Sequence, residues 1–151
     1  DLHQHRLDTL TTRGERLGDS NIKTHALDMK DYHKELEQYG AFDRVLTDVP
    51  CSGLGVLRRR PEIKYKNLKD FSTLPTVQYQ ILSSSAKYLK KGGTLVYSTC
   101  TLSPAENTQV VQKFLDHHPN FSPADTLHWE QTIFPDENGA DGFYIAVLQR
   151  K

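Results

Sequence analysis

The sequence of 151 residues is poor in the features that mark several specialised classes of protein. It contains two cysteines, Cys51 and Cys100, which are too few for a disulfide framework or for a zinc site made of thiolates. No hydrophobic run approaches the roughly 20 residues that cross a bilayer, and residues 1–10, DLHQHRLDTL, lack the apolar segment of a signal peptide. The sequence therefore favours a cytoplasmic protein with free thiols and with neither membrane nor metal as a partner.

The sequence has no excess of positive or of negative charge. Lys plus Arg and Asp plus Glu both number 19, so the net charge gives no general argument for a nucleic acid as partner. The basic residues are concentrated locally, and the run that we call the basic loop contains Arg58, Arg59, Arg60, Lys64, Lys66 and Lys69. Such a run either binds the phosphates of RNA or is a solvated loop without a ligand.

Hydrophobic periodicity and turn residues divide the chain into alternating helices and strands. We predict an exposed helix over residues 2–17 that Gly18 ends, a strand over 22–27, a short helix over 30–38 and a buried strand over 42–47. A helix follows over 72–90, a strand over 94–98, and a helix from Ser103 to about Leu115 that begins with an S-x-x-E capping box completed by Glu106. A turn-rich stretch, 135–142, precedes a last strand over 143–148.

Strands that alternate with helices predict the α/β fold class. Helical crossover connections imply a mainly parallel sheet that is covered on both faces. In such sheets the ligand binds outside the carboxyl ends of the strands, so we expect chemistry in the loops that follow Thr47 and Ser98.

Both cysteines lie in those two loops. Cys51 follows Asp48 in the segment DVPCSG, and Cys100 lies in STCT. If the two strands are neighbours, two thiols and one carboxylate converge on a single crevice. The alternative is that both cysteines are small buried hydrophobic residues and that Asp48 caps the loop of Ser52 and Gly53.

Three segments, DVPCSGLGVLRRRPEIKY, GGTLVYSTCTLSPAEN and DGFYIAVLQR, cover residues 48–65, 92–107 and 141–150. They closely resemble the bacterial ribosomal-RNA cytosine-C5 methyltransferases of the RsmB (Sun, Fmu) type, and the resemblance extends over essentially the whole chain. A single D-x-P-C would be weak evidence, whereas D-x-P-C-S-G followed by S-T-C and then by P-x-E-N is specific. The resemblance implies a Rossmann-like, S-adenosylmethionine-dependent methyltransferase fold and a substrate cytosine in RNA, with small-subunit (16S) ribosomal RNA as the expected target.

The resemblance also assigns roles to the site residues. Cys100, in the T-C motif, matches the nucleophile that adds to carbon 6 of cytosine, and Cys51 matches the second cysteine, which is associated with product release. Asp48 matches the acid that hydrogen-bonds the N3 and amino edge of the base, and we also include it among the cofactor-binding acids. Val49 stands where the family has alanine, a difference that leaves the spacing of acid and thiol intact.

Two further acids match cofactor ligands of the family. Asp1 corresponds to the acid that binds the ribose hydroxyls of S-adenosylmethionine, and Asp28 to the acid on the adenine side. Without the resemblance, Asp1 is only a terminal residue and Asp28 a helix cap.

The family's glycine-rich loop, A-P-G-G-K-T, has no counterpart in this sequence. We therefore expect residues 1–151 to be the C-terminal portion of a methyltransferase catalytic domain that lacks the first strand, the glycine-rich loop and the N-terminal RNA-binding region. Such a portion should neither methylate RNA nor bind S-adenosylmethionine appreciably by itself, and it should associate through exposed sheet edges. Within it, we predict that Arg58, Arg59, Arg60 and Lys64 bind RNA.

Two other functions compete with this one. A Rossmann-like enzyme that methylates an exocyclic amine uses a D-P-P-Y type motif and needs no thiol, and a ribosome-associated domain could keep the fold without turnover. Cys51 and Cys100 argue against the first. Intact Asp48, Cys51 and Cys100 argue against the second, while the missing front end allows that this particular chain is inactive. A metal site at His3, His5, His25 and His33 would lack an acid or thiol to complete its ligands.

Overall fold

The computed structural model describes residues 1–135 and 139–151. Three α-helices are present, α1 (Gln4–Leu17), α2 (Leu74–Ser85) and α3 (Thr108–His117). The strands are β1 (Phe42–Asp48), β2 (Leu89–Thr99), β3 (Phe121–Pro123), β4 (Glu130–Ile133) and β5 (Phe143–Arg150). Short 3₁₀ turns lie at Lys34–Tyr39, Pro61–Tyr65, Leu68–Phe71 and Ala86–Tyr88.

The strands of the described residues form one sheet in the order β1-β2-β5-β3, with β4 also paired to β5. Only β1 and β2 pair in parallel, and the three pairings of β5 are antiparallel. The prediction of a mainly parallel sheet was therefore wrong. The described residues between β3, β4 and β5 form no crossover helix, and antiparallel strands do not need one.

One face of the sheet carries the core. Along β5 the side chains alternate, and Tyr144, Ala146 and Leu148 are fully buried. Helices α2 and α3 pack over this face and contribute Leu82, Val110, Val111 and Phe114. Each such fully buried apolar side chain contributes about 1.5–3 kcal/mol relative to an exposed one.

The predicted burial of strand 42–47 was wrong. β1 forms the strand as expected but pairs on one side only, with β2, and most of its residues are exposed. Leu46 is 68% exposed, so the face opposite the two helices is not covered there. An apolar β-branched run indicates that a strand forms, but it does not tell how many neighbours the strand has.

Several other predictions of local secondary structure were wrong. No strand forms over residues 22–27, where the backbone makes two contacts with Asp1 that do not extend into a ladder. The helix predicted over 30–38 is reduced to the 3₁₀ turn Lys34–Tyr39. Strands β3 and β4 are too short to show a periodic pattern and were not predicted.

The helix predicted over 72–90 ends earlier. α2 stops at Ser85, and β2 already begins at Leu89. The predicted basic last turn of the helix and the turn at Lys90 to Gly93 were wrong, because these residues lie within β2, where the register slips from Phe42↔Leu89 to Arg44↔Thr94 and the extra residues bulge out.

The exposed first helix is confirmed. α1 ends at Gly18, whose φ of 80° is the left-handed conformation that glycine adopts without strain. The turn-rich stretch before β5 is only partly described, since residues 136–138 lie outside the described residues.

Candidate active site

The parallel register brings the two cysteine loops together. Asp48, the last residue of β1, lies opposite Ser98 of β2, so the loops that follow leave the same edge of the sheet. The Sγ atoms of Cys51 and Cys100 lie 3.1 Å apart, and either thiol can donate a hydrogen bond to the other. Both are free cysteines and both are partly exposed. The predicted convergence of two thiols is confirmed.

The surroundings of Cys51 favour its protonated form. Burial is the largest cause that raises the pKa of the Cys51 thiol, and together with the hydrogen bond and charge of Cys100 it brings this pKa to about 12. Because only a thiolate is a strong nucleophile, this shift lowers the reactivity of the Cys51 thiol at neutral pH.

Asp48 is exposed at the mouth of this pair of loops. Its Oδ1 accepts a hydrogen bond from the Ser98 hydroxyl at 3.2 Å. The alternative role, in which Asp48 caps the loop of Ser52 and Gly53, was wrong, because the Ser52 N–H donates to another acid. Among the residues that the structure describes, the second oxygen of Asp48 has no hydrogen-bond partner and is available to a ligand.

That other acid is Glu106, which the sequence assigned to a capping box. The carboxylate is buried and accepts from the Ser52 N–H at 2.8 Å, the Ser52 hydroxyl at 2.6 Å and the Gln78 amide at 3.0 Å. The capping box was wrong because these donors occupy Glu106, and α3 begins only at Thr108. The sequence also did not identify Gln78 as a site residue, although a polar residue within the apolar stripe of a helix indicates a buried polar contact.

The neighbouring Asn107 holds the second cysteine loop. Its Oδ1 accepts from the Thr99 hydroxyl at 2.6 Å, and its Nδ2 donates to the Thr101 carbonyl at 2.9 Å. These two residues flank Cys100. The P-x-E-N segment therefore binds one cysteine loop with its glutamate and the other with its asparagine.

Two glycines allow the loop after Cys51 to approach β5. The Gly55 N–H donates to the Cys100 carbonyl at 3.0 Å, and the Gly142 N–H donates to the Gly55 carbonyl at 2.8 Å. A Cβ at Gly55 would lie 2.1 Å from the Gly142 carbonyl oxygen, so no other residue fits without moving the backbone. Neither glycine was assigned to the site from sequence.

The basic loop is attached to the same region. Arg59 lies 2.5 Å and Arg58 3.6 Å from the carboxylate of Asp141, the residue before Gly142. Both side chains keep more than half of their surface exposed. Arg60 and Lys64 are exposed, and in the described ranges neither forms an ion pair. The structure thus places the predicted RNA-binding residues beside the cysteine loops.

The two acids predicted to bind the cofactor lie close to each other. The Leu27 N–H donates to the Asp1 carbonyl at 3.0 Å, which brings Asp1 beside Asp28. The Asp1 carboxylate lies 3.7 Å from Arg6. Asp28 accepts from the Lys30 N–H and pairs with its ammonium group at 3.1 Å, and these contacts lower the pKa of Asp28.

Neither acid is joined to the cysteine loops. Ser84, near the end of α2, donates to the Asp31 carbonyl at 2.6 Å, so the segment after Asp28 is held at the edge of the sheet where β2 begins. In residues 1–135 and 139–151 no hydrogen bond or ion pair links Asp1 or Asp28 to Asp48. Their shared role in cofactor binding stays a prediction.

The histidines make separate local contacts. The rings of His3 and His5 stack at 5.6 Å, while His25 contacts Tyr39 and His33 contacts the Asp28 carbonyl. Within the described part of the chain, no three His, Cys, Asp or Glu residues are grouped so that they could hold a metal ion. No helix in that part has the length and apolarity needed to cross a membrane.

Comparison with known families matches residues 1–149 to the family described as 16S rRNA methyltransferase RsmB/F. A relative from Bacillus subtilis, named as a probable ribosomal RNA small subunit methyltransferase B, is 38% identical over 165 residues, which cover 100% of this chain and 37% of the relative. The ribosomal RNA small subunit methyltransferase B of Photorhabdus laumondii is 43% identical over 114 residues, covering 73% of this chain and 27% of the relative. The chain thus spans little more than a third of the length of curated relatives that match nearly all of it.

Solved structures agree with the fold. NSun6 from Pyrococcus horikoshii, solved with SFG, has a TM-score of 0.81 and 29% identity, with 99% of this chain and 40% of that one covered. A methyltransferase homologue from the same organism has a TM-score of 0.80 and 26% identity, with coverage of 100% and 52%. The α/β, Rossmann-like methyltransferase fold is confirmed.

We expect Cys51 to make the stability of the chain sensitive to alkaline pH. An unfolded cysteine ionises near its ordinary pKa of 9.0, whereas folded Cys51 keeps its proton up to about 12, so its contribution is complete below pH 9 and is lost as pH rises towards 12. Urea unfolding at pH 8 and pH 10 measures this loss. The Cys51→Ala variant is the control and should lose less stability over that interval; equal losses in both chains would contradict the raised pKa.

Proposed function

Because the chain belongs to the 16S rRNA methyltransferase RsmB/F family, we propose that it carries the reacting groups of an enzyme that transfers a methyl group from S-adenosylmethionine to carbon 5 of a cytosine in RNA. The proposed RNA is 16S ribosomal RNA. The observation that carries the proposal is the pair of free thiols, 3.1 Å apart, at the carboxyl ends of two neighbouring parallel strands. A transfer to an exocyclic amine would have no use for them.

A thiol is required because carbon 5 of cytosine is a poor nucleophile. In the proposed reaction the Cys100 thiol gives its proton to solvent and its thiolate sulfur bonds to carbon 6, while the electron pair displaced from the 5,6 double bond makes carbon 5 enamine-like. Carbon 5 then takes the methyl group. Loss of the proton from carbon 5 to a base restores the double bond and breaks the bond between sulfur and carbon 6, which releases Cys100 as a thiolate.

The pKa of Cys51 suits the second half of this sequence. While Cys100 is uncombined, its hydrogen bond and charge help to keep Cys51 protonated, so Cys51 does not compete for carbon 6. Once the Cys100 sulfur has become a neutral thioether, that contribution disappears and the pKa of Cys51 falls, although burial, the largest cause of the shift, still holds it above its ordinary value. Cys51 would then release its own thiol proton to solvent more readily, and the resulting thiolate would accept the proton of carbon 5, directly or through water.

Asp48 is the proposed group for holding the base. Its exposed carboxylate keeps one oxygen free among the described residues, and in this position it would hydrogen-bond the N3 and amino edge of cytosine. This contact would orient carbon 6 towards Cys100 and stabilise the charge that develops during addition.

The acids of the chain fit part of S-adenosylmethionine. When bound, this cofactor supplies an electrophilic methyl group on a sulfonium sulfur. Carboxylates at Asp1 and Asp28 are suitable acceptors for ribose hydroxyls and for the adenine amino group, and the hydrogen bond from the Leu27 N–H to the Asp1 carbonyl brings their backbone segments together. SFG, an analogue of S-adenosylmethionine, is present in the NSun6 structure, which supports the choice of cofactor.

Replacement of Cys100 tests the proposal most directly. In a protein of the relatives' full length, Cys100→Ala should reduce methylation to below about a tenth of the parent's turnover, because no other group can add to carbon 6. Transfer of a labelled methyl group to ribosomal RNA measures the loss, and unchanged cofactor binding shows that the variant is folded. If Cys100→Ala kept more than about a tenth of the parent's turnover, either Cys51 would be the nucleophile or the enzyme would belong to the amine-methylating class.

Replacement of Cys51 should have the opposite effect on the covalent intermediate. Cys51→Ala leaves addition intact and slows release, so a protein–RNA adduct should accumulate during turnover and survive a denaturing gel. The double variant Cys51→Ala/Cys100→Ala is the control and should give no adduct. Absence of an adduct from the single variant would remove Cys51 from the release step.

The basic loop should contribute the salt-dependent part of RNA binding. Replacing Arg58, Arg59 and Arg60 by glutamine should lower the slope of log K against log salt by about one for each phosphate that the loop no longer binds. Cofactor affinity should not change. Lys113→Gln, on the exposed side of α3, is the control; a slope equal to the control's would make the loop a solvated segment.

A further inference from the structure

Glu106 is a buried acid that has no role in the reaction proposed above. It is 3% exposed, and its three hydrogen bonds come from two residues that are buried as well, Ser52 and Gln78. A carboxylate removed from water is costly unless donors surround it. Two of its three donors lie in the residue next to Cys51, so this arrangement bears on the position of that thiol.

The contacts hold Cys51 from both sides. Gln78 donates from the same Nε2 to the Pro50 carbonyl at 2.9 Å and to Glu106 at 3.0 Å, while the Glu106 carboxylate takes the N–H of Ser52. The backbone is thus fixed on either side of Cys51. Without the carboxylate, the Ser52 N–H, the Ser52 hydroxyl and the Gln78 amide would each lose an acceptor.

Cys100 is held by different contacts. It directly follows β2, whose register with β5 pairs Thr99 with Tyr144, and its carbonyl accepts from the Gly55 N–H. The hydroxyls of Ser52 and Thr101 lie 2.7 Å apart and join the two loops. Loss of Glu106 should therefore displace Cys51 more than Cys100.

We propose that Glu106 is a positioning residue that fixes the Cys51 thiol against Cys100, and that it thereby serves the release step. The geometric part concerns this chain alone. The catalytic part rests on the proposed function.

Three substitutions separate geometry from charge. In Glu106→Gln, the amide oxygen can replace Oε2 and accept both N–H groups, while the amide nitrogen donates to the Ser52 hydroxyl, which turns towards Thr101. Glu106→Ala leaves all three donors without an acceptor, and Glu106→Asp keeps the charge but withdraws it by one methylene. The alanine variant should displace the Cys51 thiol most and the aspartate variant less, while the glutamine variant should stay close to the parent.

Phenylarsine oxide measures the thiol pair without any reaction on RNA. Its arsenic bonds two adjacent thiols at once and releases one water, so its affinity depends on their separation. Glu106→Ala should raise its dissociation constant at least about tenfold, which corresponds to the loss of one hydrogen bond to a charged group. Glu106→Asp gives the same test if the alanine variant does not fold. Phe121→Leu, a core change in β3 matched by melting temperature, should leave the affinity unchanged.

The same variants in a protein of full length test the catalytic part. Glu106→Ala should accumulate the protein–RNA adduct as Cys51→Ala does, with a lower kcat and an unchanged KM for the cofactor, and Glu106→Gln should restore turnover. Parent-like arsenical affinity in both Glu106→Ala and Glu106→Asp would overturn the positioning role. Weakened arsenical affinity without adduct would keep that role and overturn the part of Cys51 in release.

Discussion

The parallel pairing of β1 with β2 is the constraint on which the rest of the structure depends. It aligns Asp48 with Ser98, and every later contact of the site follows from the fact that the two loops start at the same edge. A shift of one residue would turn Thr47, which is buried, towards the open face and would separate the thiols. The helices α2 and α3 reinforce this register by covering the face that holds Tyr97 and Tyr144.

The sequence could predict those site residues that directly follow a recognisable strand. Cys51 and Cys100 come after strands whose β-branched and aromatic residues are clear, so their convergence needed only that the strands be neighbours. Glu106 could not be assigned this way. Its spacing from Ser103 fits a helix cap equally well, and only the folded chain shows that Ser52, far away in sequence, competes successfully for the carboxylate. Gly55 and Gly142 were missed for the same reason, because each is explained only by the other.

The errors in the fold also have a common cause. Periodicity reports which side of a segment is apolar, but it does not report direction or the number of neighbours. β5 was recognised as a strand although its antiparallel direction was not, and β1 was recognised although its exposure was not. The segment 22–27 has strand-forming composition, yet a strand needs a paired ladder, and here the backbone bonds only to residue 1. Local sequence thus predicted elements better than their arrangement.

The close approach of Gly55 and Gly142 has a consequence for the order in which the protein is made. The loop that carries Cys51 is fixed partly by the Gly142 backbone, which directly precedes β5. During synthesis from the N-terminus, both cysteines leave the ribosome before that strand exists. The contact between Gly55 and Gly142 therefore forms only after β5 has been made and has paired with β2. Final placement of the thiol pair is in this way coupled to the pairing of β5.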